Sequence, residues 1–200
     1  MERGKFIILE GIDGSGKSTQ ARMLVEELRE RGVEVLLTAE HTDGPAGKLV
    51  EQVVKGRVKM AALALQMVFV ADRIDHTNGV IRPALEVGRM VVSDRYYGST
   101  VAYGAEVADK EWLLEVNKRV SVEPDLIFWI DVPAEVAMER MNLRGDERTI
   151  FEKAEKLQRV ADVYKWLLER EKNWTRVDGN REELLIRREI MVEIEARGWV

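Results

Sequence analysis

The chain has 200 residues, 46% apolar and 34% charged, which is a globular balance and excludes a disordered polymer. A net charge of −5 and a pI of about 5.3 argue against a constitutive binder of nucleic acid or of anionic membranes. The absence of cysteine excludes disulfides, thiolate metal sites and a cysteine nucleophile, and without a signal peptide or a membrane-length apolar run a cytoplasmic protein is expected.

In chain order, KFIILE (5–10) reads as a strand, and residues 17–31 as an amphipathic helix stopped by Gly32. VEVLLTA is a second strand ending at Ala39, and GPAGKLVEQVV opens a helix. Residues 60–87 are helix-like, with a break expected near Asn78-Gly79 and Pro83. RMVVSD (89–94) is a third strand, followed by a helix pair through about residue 119. DLIFWIDV (125–132) is a fourth strand, and Pro133 suits the first position of the next helix. Residues 150–171 form a long helix, WTRVDG (174–179) a fifth strand, and a charged helix begins near residue 181. Short apolar strands separated by helices predict an α/β fold with three α/β/α layers around a five-stranded parallel sheet. No repeat or linker divides residues 1–200, so one domain is expected.

The stretch between the first strand and the first helix carries the strongest chemical signal. Gly11-Ile12-Asp13-Gly14-Ser15-Gly16-Lys17-Ser18 matches GxxxxGK[ST] in full, in the strand-to-helix context the motif requires. Glycines let backbone N–H groups wrap phosphate oxygens, and the helix N-terminus adds partial positive charge. Lys17 is expected on the β- and γ-phosphates and Ser18 on Mg²⁺; these residues, with Thr19, form the expected ATP site. A plain glycine-rich turn is the rival reading, which the full motif and its context disfavour. A GTPase is disfavoured too, because the Asn117-Lys118 pair is not followed by the aspartate of an NKxD guanine reader. Asp94 closes an apolar strand and is placed to hold Mg²⁺ or its water. Arg95, just beyond it, suits a phosphate contact, with a surface ion pair as the alternative.

Taken together, FIILEGIDGSGKSTQ, FVADRIDH, IRPALEVGRMVVSDRYYGSTVAY, PDLIFWIDVPAEVAMER, RGDERTIFE and the late VDG resemble the thymidylate kinases over nearly the whole chain. The most specific combination is Asp-Arg-Tyr at 94–96 with Phe-x-x-x-Arg at 69–73. The resemblance implies a P-loop kinase that transfers the γ-phosphoryl group of ATP to dTMP, giving dTDP, with Mg²⁺. It also implies a homodimer packed through helices, with nucleotides rather than nucleic acid or membrane as partners. The apolar run at 60–71 suits that interface or the core.

By the same resemblance, Phe69 stacks on thymine and Arg73, one helical turn later, donates to a thymine carbonyl. Ser99 and Thr100 line the base edge, and Tyr103 crowds the sugar 2′ position; packing is the rival for all three. Asp13 contacts the acceptor's 3′-hydroxyl, and Glu40 remains from the family's acceptor loop. Some members carry an arginine within the P-loop, where this chain has Gly14; others carry it in a lid. Arg140, Arg144 and Arg148 around NLRGDER suit a lid at about 141–150, with Arg140 on ATP and Arg144 and Arg148 catalytic. A solvated charged loop is the alternative. One departure stands in TAEHTDGPAGK, where Ala39 replaces a base and His41 a proline, removing an expected contact to the acceptor phosphate unless His41 or Lys48 compensates. That leaves two other readings open: a same-fold kinase for another nucleoside monophosphate such as dUMP, or a nucleotide-binding module without catalysis.

Overall fold

The computed structural model describes residues 2–141 and 147–200, with side chains from 2–141 and 152–200. Phe6–Glu10 (β1), Val35–Ala39 (β2), Met90–Asp94 (β3), Leu126–Asp131 (β4) and Trp174–Asp178 (β5) form one parallel sheet in the order β2-β3-β1-β4-β5. Every residue of β1 is buried, as expected for the middle strand of a sheet covered on both faces. Alternation along the strands divides the core in two. Phe6, Ile8, Val91, Ile127 and Trp129 face one layer, and Ile7, Leu9, Val92, Phe128 and Ile130 face the other.

The second layer is closed by Lys17–Glu30 (α1) and Glu183–Ala196 (α9), through Leu24, Leu28, Ile186, Ile190 and Ile194. The first is closed mainly by Tyr97–Gly104 (α5), Lys110–Val120 (α6) and Glu147–Arg170 (α8), through Val101, Leu113, Val160 and Tyr164. Pro45–Val54 (α2) packs on Ala62–His76 (α3), and Ala134–Arg140 (α7) follows β4. The expected three-layer architecture and parallel five-stranded sheet are present.

Two local expectations change. The segment after α3 does not break at Asn78-Gly79; Thr77–Ile81 forms a π-helical turn that runs directly into Arg82–Glu86 (α4). The wider turn carries one extra residue per hydrogen-bonded ring, and Pro83 lies in the first turn of α4, where a missing N–H costs little. Pro133 is the cap of α7 rather than its first residue, with an extended ψ of 143°. Among the described residues, no helix is long and apolar enough to cross a membrane.

Candidate active site

The P-loop lies at the C-terminal end of the central strand. Gly16 caps α1 at a φ of 91° and no side chain caps the helix, so its first-turn N–H groups are left for an anion. Lys17 folds back over the loop: its Nζ donates to the Ile12 carbonyl at 3.2 Å and lies 3.8 Å from Asp13 Oδ1. Burial pushes its pKa down to about 8, and Arg95 adds to the fall; Asp13, Asp94 and Glu10 oppose it. Ser18 is exposed on the first turn of α1. Asp94, paired in register with Leu9 of β1, has a buried Oδ1 without a hydrogen-bond partner among the described residues. An orphaned carboxylate oxygen at the end of the strand next to the P-loop strand fits a hard divalent cation, which takes oxygen ligands. Arg140 spans the loop and the end of β5, donating to the carbonyls of Ser15 at 3.3 Å and Gly179 at 2.9 Å.

A cavity of about 540 Å³ opens beside the P-loop between α3 and α5, and Asp13, Arg95, Phe69, Arg73, Thr100 and Tyr103 are on its wall. Asp13 thus belongs to both the loop and the cavity. It ion-pairs with Arg95, and its N–H donates to the Tyr103 hydroxyl at 3.0 Å. Burial, reinforced by the Asp13 charge, pushes the Tyr103 phenol up to about 12, so it stays protonated at neutral pH.

Arg73 is 1% exposed and held on several sides. Its Nη2 donates to Glu40 Oε2 at 2.5 Å and Thr100 Oγ1 at 2.9 Å, its Nη1 donates to Asn117 Oδ1, and its guanidinium lies 5.2 Å from the Tyr96 ring centre. Glu40 is held in turn by His76 Nδ1 at 3.1 Å, and His76 Nε2 meets Thr38 Oγ1 at 2.6 Å. A donor so anchored presents a fixed edge to the cavity, at little entropic cost on binding.

Arg95 is fixed from the opposite side. It has a φ of 72°, in the left-handed region that non-glycine residues rarely use. The buried Glu10 carboxylate accepts from the N–H groups of Tyr96 at 2.9 Å and Ser99 at 3.0 Å, pinning the turn on which Arg95 stands. Ser99 Oγ donates to Glu10 at 2.6 Å and accepts from Arg95 Nη1 at 2.9 Å. Tyr164, from α8, donates to Glu10 Oε2 at 3.1 Å and lies 3.0 Å from Ser99 Oγ. Burial raises the Glu10 pKa, and the bonds from Ser99 and Tyr96 and the Arg95 charge work against that rise. For Arg95, burial opposes the charge, but Tyr164, Asp13, Tyr103 and Glu10 outweigh it and its pKa is raised.

This cleft can hold a triphosphate and, beside it, a planar ring with an anionic group. A family model described as thymidylate kinase matches residues 9–190. The chain belongs to the thymidylate kinase family. A Thermococcus kodakarensis protein described as a probable thymidylate kinase is 44% identical, over 77% of this chain and 78% of the relative. A Thermococcus onnurineus protein of the same description is 42% identical, over 82% and 84% of the two chains. A Desulfotalea psychrophila protein described as a thymidylate kinase is 42% identical, over 80% of each.

Within this thymidylate kinase scaffold, Phe69 is half-buried on the cavity wall, and His41 approaches it edge-on with ring centres 6.2 Å apart. Ser99 also lines the wall, although its hydroxyl is committed to Glu10. Ala39 is exposed at the end of β2, and neither it nor Lys48 is part of the cavity wall. Gly14 has a φ of 81°, and a Cβ there would come within 2.3 Å of the Ala137 carbonyl oxygen, so this loop has no room for a side chain at that position. Arg144 and the side chain of Arg148 lie outside the described residues. Sequence reasoning missed Glu10, His76, Asn117 and Tyr164. Only Glu10 carried a signal, as an acid ending an otherwise apolar strand.

Proposed function

We propose that the chain transfers the γ-phosphoryl group of ATP to dTMP. The observation that carries this reading is the shared position of Asp13. It belongs to the P-loop beside Lys17 and to the wall of the cavity that Phe69 and Arg73 line. In this reading dTMP enters the cavity with its base against Phe69 and the Arg73 edge, and its phosphate toward Arg95. Tyr103 stands at the sugar, and Asp13 and Arg95 orient the acceptor. A phosphate oxygen of dTMP attacks the γ-phosphorus, the bond to the β-γ bridging oxygen breaks, and ADP leaves. Such transfer depends on alignment and charge stabilisation more than on proton chemistry. Lys17 and the first-turn N–H groups of α1 hold the triphosphate, with Gly11, Ile12, Gly14, Ser15, Gly16 and Thr19 forming its loop and Arg140 at the nucleotide's other side. Ser18 and Asp94 would hold Mg²⁺, which when bound supplies charge neutralisation on the phosphates. Arg144 and Arg148 are assigned to the migrating group.

The same reading includes a homodimer in the cytoplasm. On α3, Leu63 and Ile74 are 44% and 39% exposed, apolar surface for a second copy to cover. An assay of ADP release with dTMP, dUMP, dCMP and dGMP tests the function. dTMP should support the highest kcat/KM. Preference for another monophosphate, or ATP and dTMP binding without turnover, would overturn it.

A further inference from the structure

We infer that Gln66 recognises the acceptor base, its side-chain oxygen accepting the ring N–H of a pyrimidine-2,4-dione. The inference rests on the proposed dTMP site and adds a residue to it. Gln66 is on α3, seven positions before Arg73 and three before Phe69, so all three lie along one helix face. Its side chain lines the cavity and is only 7% exposed. Its Oε1 is buried and has no hydrogen-bond partner among the described residues. Gly104 of α5 makes room for it: a Cβ there would come within 3.0 Å of this oxygen and 2.8 Å of Leu113 Cδ1.

A buried amide oxygen without a donor costs stability unless a ligand supplies one. The rest of the wall supplies the complementary pattern. Arg73 can only donate, so it can serve a ring carbonyl but cannot accept from the neighbouring N–H. The nearby carboxylate is already occupied, with Glu40 Oε2 on Arg73 and Oε1 on His76. Thr100 Oγ1 already accepts from Arg73. A dione edge reads acceptor, donor, acceptor, and Gln66 Oε1 is the unclaimed acceptor for its central N–H. Cytosine presents an amine donor and a bare ring nitrogen there, leaving both Arg73 and Gln66 mismatched.

The test is calorimetric titration of dTMP, N3-methyl-dTMP and ATP into the wild-type protein, Gln66→Ala and Gln66→Leu, with thermal melts to show that each variant folds. Losing one such bond should weaken dTMP binding about tenfold in both variants, with ATP affinity unchanged. Wild type should reject the N3-methyl analogue. Gln66→Ala, lacking the acceptor and leaving space for the methyl group, should bring the ratio of the two affinities toward one. Unchanged dTMP affinity in the folded variants, or the same ratio in wild type and Gln66→Ala, would overturn the inference alone. Wild-type protein that does not bind dTMP would overturn the acceptor reading, and the inference with it.

Discussion

Lys17 sits where its own charge is costly, since burial has brought its pKa down to about 8. Its ammonium is therefore protonated below that pH and neutral above it. In the proposed reaction the charge that holds the triphosphate is lost as pH rises, so kcat/KM for ATP should fall above about pH 8, because that parameter reports the free enzyme. kcat should hold to higher pH, because bound phosphates stabilise the ammonium. A kcat/KM profile that stays flat between about pH 7 and pH 10 would show that Lys17 does not govern ATP capture. Arg95 is the counterpart on the cavity side. Its unusual backbone is tolerated because Glu10 ties down the two N–H groups that follow, an instance of local strain held by surrounding bonds.

Among elements, the P-loop and α7 constrain each other. Gly14→Ala would place a methyl group against the Ala137 carbonyl at a φ of 81°. The expected cost is about 1–3 kcal/mol, read as a lower melting temperature together with a raised KM for ATP; a variant with wild-type melting would show that α7 yields freely. The same contact gives a physical reason why an arginine in this loop is not an option for the present backbone. The strands around this loop were legible in the sequence because each is a short apolar run bounded by turn residues, and the loop because its motif is contiguous. What was not legible depends on distance along the chain. Glu10 and Tyr164 are 154 residues apart, and no local pattern announces that they meet. Gln66 lies inside the run at 60–71 that read as apolar, with no local mark of a site, and Asn78-Gly79 read as a break because a wider helical turn has no composition of its own.

At the scale of the whole molecule, the sheet separates two cores, and among the described residues only the first is shared with the cavity beside the P-loop, through Tyr96 and Tyr103. Leu63 and Ile74 of α3 are exposed and are not part of that cavity wall. Leu63→Glu should therefore shift the protein to monomer in light scattering after gel filtration, with a melt that stays cooperative but no longer depends on protein concentration. An unchanged mass would mean that the two copies do not meet at Leu63. The π-helical turn at Thr77–Ile81 bears on this helix in a different way. An α-helix advances about 100° per residue, so one surplus residue acts as a phase offset rather than a spacer. The offset lets α3 be set to the angle that turns Gln66, Phe69 and Arg73 toward one cavity, while Ile81 and Leu85 stay in the core against the sheet. The two halves are geared independently, and a change of length in that turn would be felt at the cavity as rotation.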